Sequence, residues 1–113
     1  MRESQTSIAA WADETFGPAV SLESIAVRAQ KELTELVEKC ATADKAIATN
    51  SWIGDEKRHM AAEEAADVVI VLARIFESCG IDMHATIDRK MAINRARRWV
   101  LDGNGHGQHV EEP

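Results

Sequence analysis

Residues 60–80 read MAAEEAADVVIVLARIFESCG and contain the longest apolar run of the chain, from Val68 to Ala73. Residues 60–79 contain neither proline nor glycine, and Gly80 follows them at a position where glycine commonly ends a helix. We therefore predict a helix that has Asp55 as its N-cap and ends near Ser78. Because the helix is apolar nearly all round at its centre, it should be buried on several sides.

The rest of the chain predicts three further helices and two irregular segments. Apolar residues recur at helical spacing in each helix, and no segment alternates with period two, so we predict an all-α fold without a sheet. Residues 42–54 lose the periodicity and predict a loop, and the glycine- and histidine-containing tail 102–113 is predicted to be flexible. The helices are a short one capped by Thr6 or Ser7 that stops at Gly17-Pro18, one from about Ser21 to at least Cys40, and one from Asp82 to about Trp99.

Length and composition exclude several classes of protein. The chain has 113 residues, which predicts one domain, placed at 1–101. Its net charge of −6 argues against a general binder of nucleic acid. Two cysteines make no disulfide framework, and no apolar run is long enough to span a membrane, so we predict a cytoplasmic protein. Three helices of so small a chain would hardly bury the apolar one, which predicts an oligomeric bundle.

Four carboxylates form two pairs with the same spacing, and residues three apart are neighbours on a helix. The pairs are Glu32-x-x-Glu35 and Glu64-x-x-Asp67. On the helical wheel Glu64 falls inside the apolar arc, with Asp67 at its edge. Glu32 borders the apolar arc of the other helix, and Glu35 lies toward the polar side.

A carboxylate that points into a core needs a cation, hydrogen bonds or a proton. Two helices that present such pairs to each other would make an all-oxygen site, which suits Mg²⁺ bridging to substrate phosphates. Spacing alone leaves a second interpretation open, in which the acidic residues lie on a solvated face.

Basic and amide side chains follow on the fourth helix, beside its apolar face. They are Lys90, Asn94, Arg97 and Arg98. Lys90 would act on a triphosphate as a point charge, and an arginine would bind phosphate oxygens with two hydrogen bonds. The alternative is that these cations only complement the helix dipole at its C-terminus.

Taken in this order, the residues resemble the MazG-like all-α NTP pyrophosphatases. The signature of that family is E-x-x-E, a spacer of variable length and E-x-x-D, and here 28 residues separate Glu32-Leu-Thr-Glu35 from Glu64-Ala-Ala-Asp67. WADETFGP at 11–18 and INRARRW at 93–99 resemble the phage and bacterial branch that acts on dATP and dGTP. Arg28 departs from the pattern, because many relatives have histidine there.

The resemblance implies an enzyme that converts a (d)NTP, dATP or dGTP, to the monophosphate and pyrophosphate, with Mg²⁺ or Mn²⁺ as a substitute. It implies a MazG-like bundle completed as a homodimer or homotetramer, in the host cytoplasm if the protein is phage-encoded. Glu35, predicted to be the most exposed of the four carboxylates, would orient or deprotonate the attacking water, with Glu64 and Lys90 as further catalytic residues. The implied metal ligands are Glu32, Glu35, Glu64 and Asp67, and the expected substrate-binding residues are Lys90, Asn94, Arg97, Arg98, Trp11 and Trp99.

Two other functions compete with this one. Di-iron carboxylate bundles use a Glu-x-x-His motif from each of two helices, and here Glu56-Lys-Arg-His59 supplies a single copy. In a non-catalytic interaction module, the acidic pairs would meet arginines across an oligomer interface and no nucleotide would be hydrolysed.

Overall fold

A computed structural model describes residues 2–49 and 51–111 of the chain. The prediction of an all-α fold is confirmed, because helices form nearly all of its regular structure. The chain divides between Ile81 and Asp82 into two compact units. No helix among the described residues is both long and apolar enough to cross a bilayer. The elements are α1 (Gln5–Phe16), α2 (Leu22–Thr49), α3 (Ser51–Cys79), α4 (Met83–Ala96), β1 (Trp99–Leu101) and β2 (Gly107–His109).

Helix α1 begins earlier than the sequence analysis predicted. Ser4 is its N-cap, where its hydroxyl accepts a hydrogen bond from Ser7 N at 3.0 Å and Ser4 N donates to Ser7 Oγ at 2.7 Å. The prediction of Thr6 or Ser7 as the cap was wrong, because this reciprocal pairing satisfies two backbone donors only when the cap lies three residues before its partner. The helix ends at Gly17, whose φ of 84° favours glycine.

Helices α2 and α3 form an antiparallel pair, and the loop predicted at 42–54 was wrong. Helix α2 continues to Thr49 and α3 begins at Ser51, whereas Asn50 lies outside the described residues. The periodicity fades there because alanines, which favour helices, replace larger apolar residues. Asp55 therefore lies inside α3 and is not its cap.

Gly54 has a packing role. A Cβ atom at this position would lie 2.9 Å from Ile47 Cα, so the backbones of α2 and α3 approach closely there. A glycine inside a helix costs about 1 kcal/mol relative to alanine, and the close approach explains why it is present.

We expect Gly54→Val to destabilise the protein by about 1–3 kcal/mol, because its side chain must displace the backbone of Ile47. Chemical denaturation followed by circular dichroism measures this loss. Ala48→Val is the control, since Ala48 is an exposed helical residue of α2 where valine lowers helix propensity without displacing a backbone. Gly54→Val raises helix propensity, so a loss of stability there comes from the close approach. Equal denaturation midpoints for the two variants would contradict the close approach.

Helix α3 is less buried than predicted. Ala73 is fully buried, yet Val69 is 49% exposed. Helices α1 and α2 both pack on α3 and cover only part of its apolar surface. Within the described part of the chain, the apolar surface of α3 is therefore only partly buried.

The second unit contains α4 and a hairpin. Gly80 has a φ of 66° and ends α3, and Asp82 caps α4 by accepting a hydrogen bond from Ala85 N at 2.8 Å, so both predicted boundaries are confirmed. Helix α4 ends at Ala96, three residues before the predicted end.

Strands β1 and β2 pair in antiparallel fashion and contradict the prediction of a chain without any sheet. Strands of three residues are too short to show an alternation. Asp102 Oδ1 accepts hydrogen bonds from Asn104 N and His106 N and so shapes the turn between the strands. A domain boundary at 101 and a flexible tail from 102 to 113 stay predictions.

Candidate metal centre and adjoining pocket

The antiparallel pairing of α2 and α3 brings three of the four motif carboxylates together. Glu32, Glu35 and Glu64 each offer one oxygen, and these oxygens lie within 4.8 Å of one another. Glu35 and Glu64 stand nearly the same number of residues from the turn between the helices, which is why they meet. We call these three residues the carboxylate cluster.

Glu32 is the most buried member of the cluster, at 8% exposure. Its Oε1 accepts hydrogen bonds from Arg28 Nε at 3.0 Å and from Arg28 Nη2 at 2.9 Å. The Arg28 side chain is 59% exposed, so solvent weakens this ion pair. Within the described part of the chain, Arg28 is the one cation that forms an ion pair with the cluster.

Glu64 has an unsatisfied oxygen within the carboxylate cluster. Its Oε2 is buried and has no hydrogen-bond partner among the described residues. Three carboxylates so close together repel one another, and a buried unpaired oxygen costs further free energy. Oxygen donors without nitrogen or sulfur suit Mg²⁺ and similar hard cations. The cluster could therefore hold a divalent cation.

Asp67 stands apart from the cluster, one turn further along α3, and is exposed. The prediction that Glu35 is the most exposed of the four carboxylates was wrong. Glu35 is half-buried, and Asp67 is the most exposed. A helical wheel describes one helix and contains no information about which neighbour covers each side chain. Whether Asp67 is a metal ligand stays a prediction.

A pocket of about 550 Å³ adjoins the cluster. Glu32 and Asp67 lie in its wall, and the pocket continues to α1 and to the connection between α1 and α2. Trp11 and Phe16 form part of that far wall, with ring centroids 5.5 Å apart in an edge-to-face arrangement. The pocket thus joins an acidic end to an aromatic end, and the predicted role of Trp11 in substrate binding stays a prediction.

Arg74 is a pocket residue that the sequence analysis missed. Its side chain is 16% exposed, and its Nη2 donates to Asp13 Oδ1 at 2.8 Å and to the Gly17 carbonyl at 3.0 Å. One signal was available, because Arg74 directly follows the apolar run and stands seven residues, or two helical turns, after Asp67.

The remaining predicted residues belong to the second unit. Lys90 and Arg98 are exposed, Arg97 is the C-cap of α4, and the Asn94 carbonyl accepts a hydrogen bond from Trp99 Nε1 at 2.9 Å. The Trp99 ring also packs edge-to-face on His109. Their roles toward phosphate or base stay predictions.

The di-iron alternative finds no support in the described part of the chain. A single group of three or more potential metal ligands occurs there, and it contains no histidine. Glu56 and His59 are both exposed and lie outside this group.

Two phage proteins are similar to this chain in sequence, and one solved structure is similar to it in fold. No protein-family model matches the chain. It is 35% identical over 106 residues to a dATP/dGTP diphosphohydrolase of Salmonella phage PMBT28, a match that covers 94% of this chain and 30% of that protein. It is 40% identical over 47 residues to the dATP/dGTP diphosphohydrolase of Cyanophage S-2L, over 42% of this chain and 45% of that protein. The matched segments therefore cover less than half the length of either relative.

A solved structure extends the likeness over the whole fold. The Cyanophage S-2L MazG-like pyrophosphohydrolase, bound to dGDP and three catalytic Mn²⁺ ions per active site, superposes with a TM-score of 0.67 at 28% identity. This match covers 96% of the present chain and 91% of that one.

The all-α fold is MazG-like, and the resemblance drawn from the sequence is confirmed by the similar proteins and by the structural neighbour. Within that class the chain is similar to the phage dATP/dGTP diphosphohydrolases.

Proposed function

We propose that this protein hydrolyses dATP or dGTP to the monophosphate and pyrophosphate in a reaction that depends on a divalent metal. The buried, unpaired Glu64 Oε2 within the carboxylate cluster carries the proposal, because it marks a place for a cation beside a pocket large enough for a nucleoside. The names of the two phage relatives and the dGDP and Mn²⁺ of the structural neighbour support the same reaction.

Glu32, Glu35 and Glu64 hold Mg²⁺, or Mn²⁺ as its substitute, and Asp67 completes the ligand set in this proposal. A cation held there would neutralise charge on the phosphates and make the attacking water more acidic. Arg28 holds the Glu32 carboxylate in place. Glu35 orients the attacking water and accepts its proton.

Basic and amide residues of α4 and of its C-terminal end are the proposed phosphate-binding residues. Lys90 neutralises phosphate charge as a point charge and acts as a catalytic residue, while Asn94, Arg97 and Arg98 donate hydrogen bonds to phosphate oxygens. Trp11 and Trp99 provide aromatic surface for the base. The protein's own net charge of −6 makes such local cations necessary for an anionic substrate.

A homodimer or homotetramer in the cytoplasm, the host's if the protein is phage-encoded, is the proposed working form. Val27, Val37 and Val69 are 56%, 61% and 49% exposed, and a second copy would cover such apolar surface. Light scattering of the purified protein measures the mass that tests this assembly.

The proposed reaction is tested with a panel of NTPs and dNTPs in the presence of Mg²⁺. We expect dATP and dGTP to be hydrolysed fastest, with pyrophosphate and monophosphate released in equal amounts. Chelation with EDTA should stop the reaction, and added Mg²⁺ or Mn²⁺ should restore it. Release of orthophosphate would contradict the assigned cleavage site, and no turnover of any nucleotide would favour the non-catalytic interaction module.

A further inference from the structure

Two arginines are the positively charged side chains among the described residues that line the pocket, and their surroundings differ. Arg74 contacts α1, where the Asp13 carboxylate lies 2.8 Å from its Nη2 and compensates its charge, and the Gly17 carbonyl accepts a hydrogen bond from the same nitrogen. Arg28 lies at the acidic end of the pocket, next to Glu32. Arg28 is therefore the pocket cation that stands beside the carboxylate cluster.

The Arg28 guanidinium uses one of its two forked edges. Nε donates to Glu32 Oε1 at 3.0 Å and Nη2 lies 2.9 Å from the same oxygen, so the edge that these two nitrogens share faces Glu32. The other edge consists of Nη1 and the second proton of Nη2, and it has no acceptor among residues 2–49 and 51–111. Because the side chain is 59% exposed, a planar pair of donors remains accessible to a ligand.

The position of Arg28 places these donors beside the proposed cation. Glu32 belongs to the carboxylate cluster, and it lines the pocket together with Arg28. Mg²⁺ is usually bound by one or two carboxylates together with substrate phosphates. A nucleotide that coordinates a cation held by Glu32 therefore brings its phosphate oxygens next to the carboxylate that Arg28 contacts.

Charge favours a contact between Arg28 and those phosphates. The four motif carboxylates repel an anionic substrate, and one divalent cation neutralises only part of their charge together with that of a triphosphate. A guanidinium binds phosphate oxygens with two parallel hydrogen bonds and loses less hydration than an ammonium does. The bond to Glu32 already holds the Arg28 side chain, so less entropy is lost when a phosphate binds.

We infer that Arg28 is a substrate-binding residue whose Nη1 and Nη2 donate to phosphate oxygens of the nucleotide beside the cation. The inference rests on the proposed function for the position of the phosphates. It goes beyond that function because it gives Arg28 a direct contact with the substrate in addition to its bond with Glu32.

Calorimetric binding of inorganic pyrophosphate at saturating Mg²⁺ tests the contact without requiring hydrolysis. We expect Arg28→Gln to weaken this binding by roughly tenfold or more, because the charged donors are lost. Arg28→Lys keeps the charge but not the planar fork, so it should lose part of the affinity. Wild-type affinity in either variant, or a wild type that binds no pyrophosphate with Mg²⁺, would overturn the inference.

Mg²⁺ binding without any phosphate distinguishes substrate binding from orientation of Glu32. Arg28→Gln removes a positive charge beside the carboxylate cluster, so its affinity for Mg²⁺ alone should equal or exceed that of wild type. If Arg28 acted only by orienting Glu32, the variant would bind Mg²⁺ more weakly and would bind pyrophosphate normally once Mg²⁺ is saturating. That pair of results would refute the phosphate contact.

Arg58→Gln is the matched control. Arg58 is 61% exposed, forms a local ion pair with Asp55 and lies outside the pocket, so its variant should keep wild-type affinity for Mg²⁺ and for pyrophosphate. In steady-state kinetics Arg28→Gln should raise KM for dATP and dGTP by the same factor, because the two substrates share their phosphate chain. An increase confined to one of them would contradict a phosphate contact.

The two assays separate failure of this inference from failure of the proposed function. If wild type binds pyrophosphate with Mg²⁺, Arg28→Gln loses that binding and no nucleotide is hydrolysed, the phosphate contact stands and the reaction does not. If wild type hydrolyses dATP and dGTP, and Arg28→Gln changes neither KM nor pyrophosphate affinity, the reaction stands and the phosphate contact is refuted.

Discussion

Glu64→Gln is expected to abolish pyrophosphate release from dATP and dGTP, by on the order of a thousandfold or more. An amide is a weak ligand for Mg²⁺, and the variant loses the carboxylate whose Oε2 is buried and unpaired. Metal-dependent stabilisation of the transition state is worth several kcal/mol, and each 1.36 kcal/mol corresponds to a tenfold change in rate. The measurement is pyrophosphate release at saturating Mg²⁺.

Stability supplies a second readout for the same variant. Without metal, Glu64→Gln should leave the free energy of unfolding unchanged or raise it, because it removes one negative charge from the carboxylate cluster. With Mg²⁺ the order should reverse, since wild type gains stability from binding and the variant gains less.

Glu63→Gln is the matched control for these measurements. Glu63 is the exposed neighbour of Glu64 on α3, and its variant should behave like wild type in both activity and metal-dependent stability. A Glu64→Gln variant that still gains full stability from Mg²⁺ would refute the role of Glu64 as a metal ligand.

Glu32→Gln is expected to reduce hydrolysis by at least about a hundredfold and, unlike Glu64→Gln, to lower stability without metal. Glu32 Oε1 accepts two hydrogen bonds from Arg28, and the substitution replaces a charged acceptor with a neutral one. The loss should be about 1 kcal/mol or less, because the Arg28 side chain is 59% exposed and its ion pair is screened by solvent.

A double-mutant cycle with Arg28→Gln isolates this ion pair. We expect the double variant to be more stable than the sum of the two single losses predicts, because each single substitution already breaks the charge pair. Denaturation in EDTA keeps metal out of the comparison. Additive losses, or a Glu32→Gln variant that is stabilised like Glu64→Gln, would contradict the assigned pair.

Opposite effects on stability are expected of the two substitutions because the four motif carboxylates differ in their surroundings. The pairs E-x-x-E and E-x-x-D make the four carboxylates look equivalent along the chain. In the folded protein Glu32 is buried and paired with Arg28, Glu64 has a buried unpaired oxygen, and Asp67 is exposed outside the cluster. The cluster therefore combines one carboxylate stabilised by an ion pair and one with an unsatisfied oxygen, which a bound cation would satisfy.

Much of the fold was readable from local signals. The apolar run of α3, Gly80 after it and Asp82 before α4 predicted the end of α3 and the start of α4, whereas α4 ends three residues earlier than predicted. The end of α2 and the start of α3 were predicted wrongly, because Gly54 in the sequence indicates a break between helices. Only the close approach of Ile47 shows that Gly54 serves the contact between α2 and α3.

The two carboxylate pairs were evident from the sequence alone, since the three-residue spacing places each pair on one helix face and apolar neighbours turn Glu64 toward the core. Which of their members meet was decided by the packing of α2 on α3. The pocket and its arginine were decided only by tertiary structure. Trp11, Arg28 and Arg74 come from three helices, and no periodicity within one helix encodes which side chains of another will face it. Burial and hydrogen bonding depend on neighbours distant in the chain, so the rank of the carboxylates and the anchored Arg74 emerge only when the helices pack.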